Sequence, residues 1–240
     1  ENKEIGGYAI LQDKKISITM DIGEPPSSNF SSEYQSGSLS FEIISNGKKL
    51  ISNCGYYEGK NEKLVKLSKS TATHSTLVID DNSSCKFKKN NKNYLINQRF
   101  RILSKNIVFE KNYWKISASH DGYNKKYNVT HGRDIEYYPD QFKFVGTDKI
   151  LIKKSNLNLK FDIRFHLEPN IKLMKTQDNK AILIELENEG WKFTCDNFNI
   201  NIDNGLYFGI KNSYSQNQNI FISGITSNKN ENITWQLNKI

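Results

Sequence analysis

The 240-residue sequence predicts an all-β protein, a large antiparallel β-sandwich. Short runs of apolar or alternating residues recur about every eight to twelve residues along most of the chain. Asn, Gly, Asp, Ser and Lys separate these runs, and no long window has the apolar stripe of an amphipathic helix. Strands that follow one another without intervening helices favour antiparallel pairing, with one face of each sheet buried against the other.

The clearest strand segments are rich in Ile, Val, Phe and Tyr, which suit a pleated, half-buried surface. They are residues 39–44, 76–79, 114–119, 142–145, 161–167, 181–186 and 219–223. Ser-Asn-Gly at 45–47 and Asp-Asn-Gly at 203–205 predict tight turns, because Asn-Gly favours the left-handed backbone of a hairpin turn. The Lys-rich segments 60–69 and 86–92 predict solvated loops, and no repeat or linker divides the chain.

The composition argues against two classes of partner. There are 34 basic and 26 acidic residues, a formal charge of +8, but Lys and Asn are abundant and Arg is rare, as AT-rich coding sequence produces. Without a recognition motif this charge does not predict nucleic-acid binding. No apolar run approaches the roughly 20 residues needed to span a bilayer. The odd number of cysteines (Cys54, Cys85 and Cys195) argues against a disulfide scaffold.

Seven short motifs occur in one order along the chain. They are Gly-Gly-Tyr at 6–8, Asp-Ile-Gly-Glu-Pro-Pro at 21–26, Gly-Ser-Leu-Ser-Phe-Glu at 37–42, Asn-Cys-Gly at 53–55, Ala-Thr-His-Ser-Thr-Leu at 72–77, Ser-His-Asp-Gly-Tyr at 119–123 and Arg-Phe-His-Leu at 164–167. Together they resemble the C-terminal domain of heparinase II/III-like proteins. The similarity runs from about residue 6 to the C-terminus, so residues 1–240 are expected to form one such domain.

The resemblance implies a β-sandwich that follows an N-terminal helical toroid, which the 240 residues do not include. It also implies a polysaccharide lyase that cleaves acidic, uronate-containing glycans, such as heparin and heparan sulfate, by β-elimination. In characterised relatives the tyrosine that transfers protons lies in the helical domain, so the 240-residue chain alone is expected to be inactive. A non-catalytic glycan-binding or structural module is the alternative. The family implies the periplasm or cell envelope, but the sequence leaves localisation open, and Glu1 is compatible with a removed leader or a longer parent protein.

Some relatives bind zinc in this domain, and the corresponding positions here are poor ligands. Where relatives have His-x-His-x-Asp, this sequence has Glu33, Gln35 and Gly37. An Asp of the next strand corresponds to Asn53, and only the third ligand position, His74, is kept. A zinc site needs three or four deprotonated N, O or S ligands in a tetrahedral array, and amides are weak donors to zinc. We therefore expect no zinc and no other cofactor.

The resemblance makes His74 the candidate catalytic residue, since the sandwich of the relatives contributes a histidine from its inner edge. Its alternative role is to hydrogen-bond neighbouring strand ends. Tyr56 and Tyr57 follow the Asn-Cys-Gly motif on a predicted loop and are candidate substrate-binding residues, because sugar rings stack on exposed aromatic side chains. Their alternative role is to cap the sandwich.

Four more residues are candidate substrate contacts, each with a structural alternative. His120 and Tyr123 lie in a His-Asp-Gly-Tyr turn, and Tyr123 is also suited to packing on the sheet. Arg164 and His166 alternate along a predicted strand and so share one face, where they are suited to binding a sulfate or carboxylate. The alternative for this pair is a polar cluster between the sheets.

Overall fold

A computed structural model describes residues 1–91, 93–153 and 158–240. The strands of this part of the chain are β1 Asn2–Ile5, β2 Tyr8–Gln12, β3 Ile16–Asp21, β4 Phe41–Ser45, β5 Lys48–Ile51, β6 Leu77–Ile79, β7 Lys86–Asn90, β8 Asn93–Gln98, β9 Ile102–Glu110, β10 Tyr113–His120, β11 Val129–Tyr138, β12 Lys143–Ile152, β13 Lys160–His166, β14 Lys172–Lys175, β15 Ala181–Leu186, β16 Glu189–Cys195, β17 Ile200–Tyr207, β18 Ser215–Ile225 and β19 Glu231–Lys239. The helices are α1 Glu62–Ser68 and α2 Asn124–Tyr127, with 3-10 turns at Ser28–Phe30, Thr71–Thr73 and Pro139–Gln141. Within the described residues, no helix has the length and apolarity needed to cross a membrane.

Three sheets form the body of the protein. The largest has eight strands in the order β14-β15-β16-β19-β12-β11-β10-β9. A five-stranded sheet, β1-β2-β3-β4-β5, and a four-stranded sheet, β17-β18-β13-β6, meet at a bridge between Ser52 and His166. Ring contacts of Trp235 with Phe41 and with Phe165 show that both smaller sheets face the large one. The prediction of an antiparallel β-sandwich is confirmed.

The local predictions hold where the strand pattern is long. Each of the seven predicted segments overlaps a strand. The turn at 45–47 joins β4 to β5, and both Asn46 (φ 47°) and Gly47 (φ 78°) have the left-handed backbone that the Asn-Gly sequence favours.

Three predictions based on polar residues are wrong, and two of them concern strands. Residues 203–205 are not a turn but part of β17, which pairs with β18 at the edge of its sheet. An edge strand exposes one side to solvent, so it tolerates turn-forming residues. In the segment 86–92, residues 86–90 are not a loop but form strand β7, which pairs with β8, and Lys92 lies outside the described residues. The lysines of β7 point to solvent, so the composition of this strand is as polar as that of a loop.

Segment 60–69 was also expected to be a solvated loop, and it contains helix α1. The Asn61 side chain accepts hydrogen bonds from the backbone N–H groups of Lys63 and Leu64 and so caps the helix. Lys69, which follows the helix, is only 1 % exposed. Seven helical residues are too few to give a recognisable amphipathic pattern.

The core also contains a buried ion pair. Asp148 of β12 is fully buried and lies 2.8 Å from the guanidinium of Arg133, which is equally buried on β11. Trp235 donates its indole N–H to the other carboxylate oxygen at 3.1 Å. Arg133 Nη1 also donates to the backbone carbonyls of Leu39 and Ser75, at 2.9 and 2.6 Å. One arginine thus connects the large sheet to the segments that precede β4 and β6.

Two histidines extend this network in a defined direction. His120 Nδ1 accepts from the backbone N–H of Gly122, so its proton is on Nε2, which lies 3.2 Å from His131 Nδ1. His131 then donates from Nε2 to Asp148 at 2.8 Å. Burial lowers the pKa of both histidines, because each ring is removed from water. In this network Arg133 and Asp148 are therefore charged, whereas His120 and His131 are neutral.

We expect Asp148→Asn to lower the free energy of unfolding by about 3–5 kcal/mol, because it leaves the Arg133 charge buried without a counter-ion. Urea unfolding followed by tryptophan fluorescence measures this loss. Glu185→Gln makes the same chemical change in the exposed Lys172–Glu185 pair and should cost less than about 1 kcal/mol. Equal losses in the two variants would contradict the central role of the buried pair.

Candidate functional site

A cleft of about 530 Å³ opens where the five-stranded and four-stranded sheets meet. Its lining residues are mostly polar or aromatic: Tyr8, Thr19, Asp21, Glu33, Tyr34, Gln35, Gly37, Ser40, Glu42, Lys49, Asn53, Gly55, His74, Tyr207 and Gly209. They come from strand ends and from the connections beside them. The Asn53 and His74 positions, which are far apart in sequence, meet here because the backbone N–H of Ser75 donates to the Asn53 side-chain oxygen at 2.8 Å.

His74 is held in one orientation on this cleft. Its backbone follows the 3-10 turn Thr71–Thr73, and its Nδ1 lies 2.8 Å from the carbonyl oxygen of Ser70. A carbonyl can only accept, so Nδ1 bears the ring proton. Burial lowers the pKa of His74 to about 4, and the imidazole is therefore neutral at pH 7.

Gln35 completes the environment of this histidine. Its side-chain Oε1 is placed 2.9 Å from His74 Nε2, the ring nitrogen without a proton. Two acceptors do not bond, and the oxygen and nitrogen of an amide exchange places by a flip of the group, so a neutral His74 requires the flipped amide, with its NH2 group donating to Nε2. Gly37 lies against the same ring, since a Cβ at this position would be 2.6 Å from His74 Cδ2. Two of the positions that the resemblance compares with zinc ligands, Gln35 and Gly37, thus contact the histidine itself.

This arrangement does not fit a zinc ion. Asn53 uses its side-chain oxygen on Ser75 and its NH2 group on Glu42, at 3.4 Å. Gln35 is engaged with His74. Across the described ranges, no group of three or more His, Cys, Asp or Glu side chains is arranged to hold a metal ion. The amides and the histidine satisfy one another and leave no tetrahedral donor set.

The electrostatics of the cleft are acidic. Asp21, Glu33 and Glu42 line it, whereas Lys49 is the single lysine or arginine in the lining. Lys49 lies 3.2 Å from Glu42 and 3.9 Å from Glu168, so its charge is already shared between two carboxylates. The neutral His74 adds no positive charge.

Asp21 is the unusual carboxyl group of the cleft. It ends β3 opposite Tyr8 and accepts a hydrogen bond from the backbone N–H of Gly23 at 3.1 Å. Burial raises the pKa of Asp21 to about 7, and the Gly23 bond offsets only part of this effect. Sequence analysis placed both Asp21 and Tyr8 in motifs but assigned neither a role, because the packing that perturbs a carboxyl group is not visible in sequence.

The two predicted stacking residues do not line the cleft. Tyr57 is 9 % exposed and packs edge-on against Phe208, 5.9 Å between ring centroids, in a small apolar cluster with Cys54. Tyr56 is half-buried, with the Lys69 ammonium 5.3 Å from its ring centroid. Both follow β5 in a loop, as expected, but their contacts match the capping alternative. The aromatic residues of the cleft are instead Tyr8, Tyr34 and Tyr207.

Arg164 and His166 bind different partners and do not form a joint site. Arg164 Nη1 binds Asn219 at 2.9 Å and Asp203 at 3.3 Å on the four-stranded sheet. His166, 3 % exposed, donates from Nε2 to the Ala72 carbonyl and accepts from the Cys54 thiol at 3.1 Å. Burial raises the pKa of Cys54 to about 12 and lowers that of His166 to about 3. The pair is neutral and enclosed, which matches the structural alternative for His166.

His120 and Tyr123 also lie in the interior. Each is 1 % exposed. His120 belongs to the Asp148 network, and Tyr123 donates its hydroxyl to the Leu77 carbonyl at 2.8 Å. Both side chains are enclosed and make their hydrogen bonds within the fold. Of the residues predicted as site residues, only His74 lines the cleft.

Comparison with known proteins identifies the family. The family model described as "Heparinase II/III-like, C-terminal" matches residues 4–236, and the chain belongs to this family. A curated relative, FtsZ-localized protein C of Caulobacter vibrioides, is 24% identical over 248 residues, which cover 97% of this chain and 42% of the relative.

Solved structures of heparinases share the fold. A mutant of the heparan sulfate lyase HepC from Pedobacter heparinus superposes with a TM-score of 0.78 at 15% identity, covering 99% of this chain and 36% of HepC. A crystal structure of heparinase III gives a TM-score of 0.74 at 16% identity, covering 100% of this chain and 37% of that one. The chain thus spans less than half the length of each of these relatives.

We expect Asp21→Asn to increase the free energy of unfolding more at pH 8 than at pH 5. The difference between the two increases should be about 1–2 kcal/mol after allowance for solvent screening. Because the pKa of Asp21 is higher in the folded state, the folded protein loses stability as pH rises from about 4 to about 7. Above this range the buried side chain is a charged carboxylate. Asparagine keeps an acceptor for Gly23 without the charge. Urea unfolding at both pH values measures the difference, and the exposed Asp196→Asn is the matched control. An effect that does not depend on pH would contradict the raised pKa.

We also expect the chain to bind no zinc with micromolar affinity, because Gln35 and Asn53 are amides engaged with protein partners. Isothermal titration with ZnCl2 tests this expectation. Gln35→His combined with Asn53→Asp restores two ligand types beside His74 and should increase the affinity. Micromolar binding to the unaltered chain would contradict the prediction.

Proposed function

We propose that this member of the heparinase II/III-like family is the sandwich part of a polysaccharide lyase that cleaves an acidic, uronate-containing glycan by β-elimination. The observation that supports the proposal most directly is His74, a neutral and rigidly oriented imidazole on the wall of the cleft. The family implies a histidine at the inner edge of the sandwich, and heparan sulfate lyase HepC has the same fold.

β-Elimination needs three contributions: neutralisation of the uronate carboxylate, removal of the C5 proton and protonation of the leaving O4. A neutral His74 can exchange Gln35 for a substrate hydroxyl and accept a hydrogen bond at Nε2. The cleft has little positive charge for the carboxylate, since Lys49 is paired with Glu42 and Glu168. We therefore assign the charge neutralisation and the main acid–base groups to an N-terminal toroid, which relatives of this family possess.

The full-length protein tests this proposal. It should release unsaturated uronate products from a heparan-type or an alginate-type glycan, detected by ultraviolet absorbance, whereas the 240-residue chain alone should release none. His74→Gln in the full-length protein should lower kcat by about tenfold, as for loss of one hydrogen bond to the substrate. Lys192→Gln on an exposed strand position should leave kcat unchanged. Product formed by the 240-residue chain would refute the assignment of the chemistry to the toroid.

A second candidate is a non-catalytic glycan-binding or structural module. Glu33 and Gln35 support it, since they occupy positions that are often histidine in relatives. The curated relative also supports it, because its name refers to localisation with FtsZ and not to a reaction. Binding of an acidic oligosaccharide to the full-length protein without any product favours this module.

A further inference from the structure

We propose that Lys69 is a positioning residue that fixes the segment containing Gln35 against the turn that holds His74, and so keeps the Gln35–His74 pair together in the cleft. This inference goes beyond the proposed function, because it concerns how the cleft is built whatever ligand occupies it. The segment containing Lys69 was expected to be a solvated surface. The side chain is instead almost completely enclosed, at 1 % exposure.

The Lys69 ammonium first fixes the segment that contains Gln35. Its Nζ donates to the carbonyl of Ser32 at 2.6 Å and to that of Tyr34 at 2.8 Å. The Lys69 carbonyl in turn accepts from the backbone N–H of Ser36 at 2.9 Å. These three bonds define the path of residues 32–36, and hence the directions of Glu33 and Gln35, which both line the cleft.

The same turn fixes the histidine. Ser70, the next residue, provides the carbonyl that accepts the His74 Nδ1 proton at 2.8 Å. Lys69 thus holds the segment that contains Gln35, and the adjacent Ser70 holds His74. Displacement of this dipeptide would change the 2.9 Å separation between the Gln35 amide and His74 Nε2.

Two aromatic rings and one carboxyl group stabilise the ammonium in this position. Nζ lies 5.3 Å from the ring centroid of Tyr56 and 5.2 Å from that of Phe87, within the range of cation–π attraction. Burial lowers the pKa of Lys69 to about 8, and the nearby Glu33 opposes this effect. At pH 6.5 Lys69 is therefore an ammonium that contacts the Tyr56 loop as well as residues 32–36.

Nitrogen-15 NMR of the histidine rings at pH 6.5 tests the inference. The wild-type chain should show His74 as one neutral tautomer with the proton on Nδ1. Lys69→Met leaves the Ser32 and Tyr34 carbonyls without their donor, so His74 should lose this single-tautomer signature and titrate at a higher pH. Lys63→Met, at an exposed position of α1, is the matched control and should leave His74 unchanged.

His120 and His131 act as internal controls, because their hydrogen bonds belong to the Asp148 network. A His74 signature that stays native in Lys69→Met, with His120 and His131 also native, would overturn the inference. If Lys69→Met fails to fold, Lys69→Gln replaces it as the test variant. Glutamine keeps an uncharged donor, so the His74 signature should differ from the wild type in part, and an unchanged signature would overturn the inference. In the wild type, the enclosed Lys69 ammonium should give a slowly exchanging 15N–1H signal, and absence of any protected lysine signal would also overturn the inference. No glycan is used, so the result is independent of the lyase assay.

Discussion

The buried pair of Arg133 and Asp148 is the constraint on which the rest of the structure depends. Its two charges are enclosed in an aromatic and aliphatic core, where an ion without its partner would be strongly destabilising. Each carboxylate oxygen is bonded, one by Arg133 and His131 and the other by Trp235. The pair therefore fixes the relative positions of β11, β12 and β19 at the centre of the large sheet.

Arg133 transmits this constraint to the cleft. Its second nitrogen bonds the carbonyls of Leu39 and Ser75, and these residues directly follow the segments that contain Gly37 and His74. Leu39 is fully buried with a left-handed backbone, φ 56°, which costs a branched residue of the order of 1 kcal/mol. The hydrogen bond from Arg133 helps to hold this conformation. The rigid core thus defines one side of the cleft, and Lys69 defines the other.

The sequence predicts the parts of this protein that depend on periodic burial. In β10 and β12 the burial of side chains alternates from one residue to the next, which gives the alternating pattern of the sequence. The Asn46-Gly47 turn follows from backbone preference alone. The same reasoning fails for β17 and β7, because edge strands with solvated side chains resemble loops in composition. For the site, His74 was predictable only from the family motif. The roles of Asp21 and Lys69 depend on contacts between residues that are distant in sequence, and local patterns do not contain that information.

Glu33 and Gln35 make this wall of the cleft suited to a different task from that of a histidine cluster. A cluster of histidines can bind a cation, and a cation can neutralise an acidic sugar. Here the Gln35 amide and His74 form a neutral pair, and the remaining charges of the lining are carboxylates with one shared lysine. Such a surface donates and accepts hydrogen bonds with little capacity to compensate a uronate charge. Under the proposed function, the sandwich therefore orients the hydroxyl groups of the glycan, and the positive charge has to come from the opposite side of the cleft.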